Sequence, residues 1–290
     1  MKILLLGCQG QIGQELQHTL PSLGQVIAWS RRDIDLMDIN SIIPVIAKQR
    51  PDVIVNAAAY TAVDKAESEP ELAYRINAIA PGKIAQAATV CDAQLVHIST
   101  DYVFDGHHNQ PYQIDAITNP IGIYGQSKRK GELAVQAATQ SYAIVRTAWV
   151  YGAKGKDNFV KTMLRLGAEQ TVVRVVYDQA GTPTWSYDIA QSITALIPQL
   201  NESTFGIYHC TNSGTASWYD FAVAIFEEAR VLGCSLRLNY VQPITSAQYP
   251  TSTKRPAYSV LACDRLAQVI HQTAPHWRSS LRKMLKEYLQ

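Results

Sequence analysis

The chain opens on "MKILLLGCQGQIG", and no other stretch limits its fold as tightly. A short apolar run at residues 3–6 has the character of a buried strand. It leads directly into Gly7, Gly10 and Gly13, and a pattern of helical period begins at Gln11. Glycines in this G-x-x-G-x-x-G spacing permit a tight turn and let the backbone approach a pyrophosphate. The amides at the helix N-terminus then stabilise its charge. A bare glycine triplet is also compatible with a merely structural turn. Its place between a first strand and a first helix favours a dinucleotide site.

The rest of the chain continues the pattern. Apolar runs at 3–6, 26–29, 53–55, 95–98 and 144–150 alternate with helical patterns at 11–20, 41–49, 71–88 and 127–138. Strands separated by helices predict an α/β, Rossmann-type doubly wound parallel sheet covered on both faces, with ligands at its C-terminal edge. After about Gly152 the pattern loosens. A helical stretch at 158–168 is followed by a β-like run at 172–177 and the turn-rich "DQAGTPTW". Helical patterns then cover 187–200, 218–232 and 277–289, with a short strand, "GIYHC", between the first two. These readings predict a dinucleotide-binding domain over residues 1–152. Residues 153–290 are expected to form mostly a smaller, mixed α/β substrate-binding cap, with some segments returning to the sheet.

Composition narrows the partners. The chain has 290 residues and 47% apolar content, ample for a core, and a net charge of only +2. It has no basic stripe, so nucleic acid is not expected as a partner. The five cysteines are odd in number and never in a C-x-x-C pair, which argues against a disulfide framework or zinc site and fits a reducing compartment. The first apolar run is too short for a signal peptide, and no stretch approaches the roughly 20 apolar residues of a membrane span. A cytoplasmic protein without a membrane partner is expected.

Two stretches carry chemistry. "LVHISTDYVFDG" places Thr100 at the C-terminal end of a strand, where a hydroxyl can bond a substrate carbonyl. "IGIYGQSKRKGE" sets Tyr124 and Lys128 four residues apart, on one face of a helix. The plain reading is a solvated surface pair. The functional one is a phenol that gives or takes a proton. An ammonium one turn away is expected to lower its pKa toward neutrality, and the same lysine can hold a nicotinamide ribose. The second strand ends in Ser30-Arg31-Arg32, where a carboxylate for an adenosine ribose would otherwise stand. Arginine there suits a 2′-phosphate. Asp33 and Asp35 are the nearest acids that would reach the ribose instead.

The glycine triplet, Asn56-Ala57-Ala58-Ala59, Thr100 and Tyr124-x-x-x-Lys128 together resemble the extended short-chain dehydrogenase/reductase superfamily. "NAAAYTAVDKAESEPELAYRIN", "HISTDYVFDG", "YGQSKRKGE", "RTAWVYG", "NFVKTMLRL" and "DQAGTPT" sharpen this. Over nearly the whole chain they are similar to the dTDP-4-dehydrorhamnose reductase family. The resemblance implies NADPH-dependent reduction of the C4 ketone of dTDP-6-deoxy-L-lyxo-4-hexulose to dTDP-L-rhamnose, with NADH also accepted by family members. It places the chain in the dTDP-rhamnose route to lipopolysaccharide O-antigen and suggests a homodimer. It makes Tyr124 the proton donor and Lys128 its partner, and puts Thr100 and Asp101 on the sugar. Gly7, Gly10, Gln11, Ile12, Gly13, Ala58, Ala59, Tyr60 and Thr61 would line the cofactor groove, with Ser30, Arg31, Asp35 and Leu36 at its adenosine end. Trp149 would pack on the deoxysugar, and Arg255 would help with the nucleotide diphosphate. A core tryptophan and a surface arginine are the plain alternatives for these two. The rival functions are a nucleotide-sugar epimerase with retained NAD and a regulatory subunit on the same fold.

Some members of the resembling family bind magnesium through glutamates, one of them on the first helix, where Glu15 stands here. Tyr187 occupies the place of a second carboxylate, so no metal is predicted.

Overall fold

The computed structural model describes residues 1–290. Through residue 147 the chain runs β1 (Lys2–Leu6), α1 (Gln11–Thr19), β2 (Gln25–Trp29), α2 (Ile42–Ala47), β3 (Val53–Asn56), α3 (Val63–Ala66), α4 (Pro70–Tyr74), α5 (Ala80–Cys91), β4 (Gln94–Thr100), α6 (Ile123–Ala138) and β5 (Tyr142–Thr147). It continues with β6 (Val150–Tyr151), α7 (Phe159–Glu169), β7 (Val172–Val176), β8 (Ala180–Gly181), β9 (Thr184–Trp185), α8 (Ser186–Leu196), β10 (Gly206–His209), β11 (Ala216–Ser217), α9 (Trp218–Val231), β12 (Tyr240–Ile244), α10 (Asp264–Ile270) and α11 (Trp277–Leu289).

Side chains alternate across a strand, so a strand buried on both faces must be apolar at every position. β1 meets that demand from Ile3 to Leu6. Ile3 and Leu5 enter one core with Leu16 of α1 and Ile189 and Ile193 of α8. Leu4 and Leu6 enter another with Ile84 of α5 and Val135 of α6. The sheet has the order β10-β5-β4-β3-β1-β2, with every pair parallel. The chain leaves β1 for β2 on one side and returns to β3 on the other. That reversal opens a crevice beyond the C-terminal ends of β1 and β3, where ligands bind in such sheets.

β10 lies in the main sheet beside β5, and α8 and Leu266 of α10 pack on the same core. A separate core joins Val160 and Met163 of α7, Val173 of β7, Phe221 and Phe226 of α9, and Leu281 of α11. No helix is long and apolar enough to cross a membrane.

Two expected elements differ. The apolar run at 144–150 is not one strand. β5 stops at Thr147, Trp149 takes a left-handed φ of 47°, and β6 pairs with β9 instead. The helix expected at 71–88 is interrupted by a π-helical turn, Arg75–Ile79, which turns Asn77 into the interior. Hydrophobic period registers neither a change of backbone hand nor one inserted residue.

Candidate active site

The glycine turn closes on itself. A Cβ added at Gly13 would lie 2.1 Å from the Gly7 carbonyl oxygen, and one at Gly7 would lie 2.6 Å from the Ala58 nitrogen. Gly7 also has a left-handed φ of 79°. Gly10 differs, because an added Cβ would meet only the Gly7 carbonyl oxygen, at 3.4 Å. Gly10 is also the N-cap of α1, and no side chain caps the helix there. An uncapped helix N-terminus with an exposed Gly10 fits the pyrophosphate of a dinucleotide. The residues present therefore suit such a cofactor. Gln11, in the first turn, accepts a bond from Asn158 Nδ2 at 2.9 Å.

At the adenosine end, the Ser30 amide and hydroxyl both donate to Asp33 Oδ2, each at 2.8 Å. These bonds hold the Asp33 carboxyl below its usual pKa. Arg31 and Arg32 are exposed. Asp35 accepts the Met37 amide, and Leu36 is buried in the core.

The loop after β3 is pinned by a residue that sequence reasoning missed. Asn77, in the π-helical turn, accepts the Tyr60 amide at 2.9 Å and donates to the Tyr60 carbonyl at 3.0 Å. It also donates to Ser127 Oγ, which in turn donates to the Tyr124 carbonyl. Ala58 donates its amide to Asn56 Oδ1, and Ala59, Tyr60 and Thr61 follow along the groove. The Tyr60 hydroxyl donates to Glu69 at 2.6 Å. No local pattern in "YRINAIA" announces Asn77's role.

The residues expected at the nicotinamide end are buried. Tyr124 stands in the first turn of α6 and is 9% exposed, Lys128 is 2% exposed and Thr100 is 5% exposed. A solvated surface pair is therefore not what these residues form. Gly125 lets α6 approach the turn Asp101–Val103, since an added Cβ would lie 2.1 Å from the Tyr102 carbonyl oxygen.

The electrostatics differ from expectation. Burial pushes the Tyr124 phenol up to about 12, with the Thr100 hydroxyl beside it lowering and Asp101 raising that value. Lys128 is not among the groups that pull it down, and its ammonium donates to the Ile98 carbonyl at 2.7 Å. Burial brings Lys128 itself down to about 8, against the raising effect of Glu132. A phenol that is protonated at neutral pH is in the state a proton donor needs. Burial also raises Asp101 to about 6, against the lowering effect of the Ser259 and Thr100 hydroxyls. Asp101 Oδ1 accepts from Thr100 at 3.0 Å, whereas Oδ2 is buried with no partner in the protein. A ligand hydroxyl would satisfy it.

Beneath Lys128 lies a second missed group. Glu132 is fully buried and accepts four bonds: Ser99 Oγ at 2.6 Å, Arg146 Nε at 2.9 Å, Arg146 Nη2 at 2.8 Å and Arg129 Nη1 at 2.9 Å. Tyr124, Lys128 and Glu132 are spaced i, i+4, i+8, so one helical face carries all three. That spacing was visible in the sequence.

The remaining expected residues have definite places. Trp149 is partly exposed and stacks on Trp218, with centroids 3.6 Å apart and planes 5° apart. Arg255 pairs with Asp64 at 3.0 Å. Burial raises the pKa of Tyr102, against the lowering effect of the nearby Arg255, and Tyr102 packs edge-on to Tyr124 at 5.4 Å. Glu15 is buried, and its Oε2 accepts from Lys154 at 3.1 Å. Tyr187 accepts from Gln191. The Lys154 ammonium also lies 3.9 Å from Glu287 Oε1, so a lysine already stands between the two carboxylates, and with a phenol at position 187 this arrangement does not fit a magnesium site.

The family model described as the RmlD substrate binding domain matches residues 1–290. The dTDP-4-dehydrorhamnose reductase of Escherichia coli (strain K12) is 42% identical over 293 aligned positions, covering 99% of this chain and 98% of that protein. The crystal structure of a dTDP-4-dehydrorhamnose reductase from Clostridium acetobutylicum matches with a TM-score of 0.93 and 39% identity, over 100% of both chains. That of the Bacillus anthracis dTDP-4-dehydrorhamnose reductase, in complex with NADP, matches with a TM-score of 0.91 and 38% identity, over 99% of each.

Proposed function

The chain belongs to the RmlD family of dTDP-4-dehydrorhamnose reductases, and from that premise we propose which of its residues carry the reaction. The reaction is reduction of the C4 ketone of dTDP-4-dehydro-L-rhamnose to dTDP-L-rhamnose, with NADPH as the reductant. Bound NADPH supplies the hydride. The protein's part is to bind, orient and protonate.

The α1 amides behind Gly10, Gln11 and Ile12 hold the pyrophosphate, and the loop from Ala58 to Thr61 lines the groove. On substrate binding Thr100 turns its single hydroxyl proton from Asp101 Oδ1 to the ketone oxygen and sets that oxygen against Tyr124. Tyr124 gives its phenolic proton to the oxygen as charge develops there. Lys128, charged below about pH 8 and one helical turn from Tyr124, holds the nicotinamide ribose. Asp101 takes a sugar hydroxyl on its unpartnered oxygen. Trp149 forms a wall for the deoxysugar, and Arg255, shared with Asp64, meets the diphosphate. The dinucleotide is bound by residues 1–152 with β10 and its flanking helices, and the nucleotide sugar by the remaining cap. The five free cysteines fit a cytoplasmic site for the reaction.

One observation supports this reading above the others. Thr100, Tyr124 and Lys128 are buried together, and the phenol is held neutral.

The test mixes protein, NADPH and dTDP-4-keto-6-deoxyglucose, with and without a 3,5-epimerase, and follows reduced-nicotinamide absorbance. Consumption only with the epimerase is expected. Consumption without it would change the substrate. Interconversion of sugars without net NADPH loss would favour an epimerase.

A further inference from the structure

We propose that Trp218 is a positioning residue for the sugar, acting through Trp149. This rests on the reading of Trp149 as a wall of the sugar site.

Trp149 pays for its place in backbone conformation, because a bulky residue at positive φ is uncommon and costly. The turn breaks β5 away from its line and throws the indole sideways. There it lies almost flat on Trp218, with 3.6 Å between centroids and 5° between planes. Free aromatic pairs favour offset or edge-to-face packing over a cofacial sandwich. The surroundings must therefore impose this one.

They are well placed to do so. A Cβ added at Gly181 would lie 2.4 Å from Trp149 Cε2, 2.6 Å from Nε1 and 2.7 Å from Cζ2. Near-equal distances to three adjoining ring atoms put Gly181 over the indole face, and Trp218 already covers the other. The two covers belong to one small unit. β8 pairs antiparallel with β11 through Ala216 opposite Gly181, and Trp218 follows β11 directly. The Ser217–Asp220 capping box fixes the start of α9, on which Trp218 stands. Trp218 Nε1 donates to Gln179 Oε1 at 3.2 Å, and Gln179 Nε2 donates to Ser246 Oγ at 2.9 Å. Ser246 is tied by its amide and hydroxyl to Asp178. Phe159 supports Trp218 at 4.6 Å.

With both faces covered, the Trp149 indole meets the sugar by its edge. Its position is set before the sugar arrives, and Trp218 sets it.

The experiment compares Trp149→Ala, Trp218→Ala, Trp218→Phe and Gln179→Ala in the full-length enzyme. It measures sugar KM, kcat, NADPH Kd, and the near-ultraviolet circular dichroism of the coupled indoles. Trp218→Ala is expected to abolish the coupled signal and raise sugar KM roughly 3- to 10-fold, the scale of one aromatic pair. NADPH Kd should not change, and Trp218→Phe should recover most of the KM. Should Trp218→Ala fold poorly, Gln179→Ala keeps both rings and frees one, so a smaller KM rise with an altered indole signal is expected. A sugar KM unmoved by Trp218→Ala, or by Gln179→Ala when its indole signal changes, overturns the proposal if Trp149→Ala raises that KM. If Trp149→Ala has no effect on KM, the reading of Trp149 itself fails.

Discussion

The two ends of the proposed cofactor groove carry the same three kinds of group in opposite surroundings. At the nicotinamide end stand a hydroxyl, Thr100, a cation, Lys128, and a carboxyl, Asp101. All three are buried. At the adenosine end stand Ser30, Arg31 and Asp33, the last two of them exposed. Burial brings Lys128 down to about 8 and Asp101 up to about 6. In water, Asp33 is instead held low by the Ser30 bonds. Residue type does not distinguish a catalytic end from a recognition end here; desolvation does. Charges out of water interact strongly, whereas exposed ones are screened and worth little each. Substitution effects should therefore fall from the buried end to the exposed one.

The largest should come from Tyr124→Phe. The ring and its packing on Tyr102 remain and only the acid is lost, so turnover should drop on the order of 10²–10⁴-fold with NADPH Kd little changed. The pH profile sharpens the point. Tyr124 stays protonated to about 12, so the alkaline limb belongs to Lys128 at about 8. Its ammonium is present below that value, and activity should decline as pH rises through it. Turnover within a few-fold of the parent would remove the buried end from the chemistry.

How much of this was legible in the sequence follows from distance along the chain. The glycine turn and the Tyr124–Lys128 pair are local, and spacing alone places each on one turn or one helical face. The strands were legible wherever every residue is apolar, as in β1. Glu132 shared the helical face of Lys128, yet its partners Ser99 and Arg146 come from two other strands that only the sheet order brings together. Trp149 and Trp218 meet through the β8–β11 pair, which is two residues long on each side and has no periodic signal. The left-handed turn at Trp149 was invisible because "IVRTAWV" reads as one continuous strand. The family resemblance rested on long specific strings, not on these contacts.

A middle-sized effect is expected at Asp101, in stability. Its folded-state pKa of about 6 lies above the ordinary 3.8, so folding disfavours its ionised form. The stability it contributes is complete below its unfolded pKa and lost as pH rises through about 6. At neutral pH and above, the ionised carboxyl costs the folded state ~3 kcal/mol, from 1.36 kcal/mol per pKa unit. Asp101→Asn removes the charge and leaves an oxygen for the Thr100 hydroxyl. Its unfolding temperature should exceed the parent's at pH 8 and match it near about pH 4, while sugar KM rises. Asp33→Asn should show no such gain, because that carboxyl is held low. Equal gains at both sites would break the contrast between the ends.

The smallest effect concerns the choice between NADPH and NADH. The Ser30 hydroxyl is already committed to Asp33, so it is not a free donor for a 2′-phosphate. The Asp33 carboxylate is held at the end of β2, where an acid accepts bonds from an adenosine ribose and repels a phosphate. Arg31 and Arg32 stand beside it, exposed, and guanidinium matches phosphate geometry. Repulsion and attraction oppose each other at one site, in water. A modest NADPH preference with residual NADH use follows. Arg31→Ala should lower kcat/KM for NADPH by about 10-fold, the low end for a charge-assisted bond, and leave that for NADH alone. Asp33→Asn should move the preference the other way, toward NADPH. Both shifts should shrink as salt is raised, since screening acts on exposed charges within roughly 10 Å. Side-by-side kcat/KM values at low and high salt decide the matter. A loss on Arg31→Ala as deep as that on Tyr124→Phe, or one indifferent to salt, would mean that the adenosine end is desolvated in the working enzyme and that the two ends do not differ in kind.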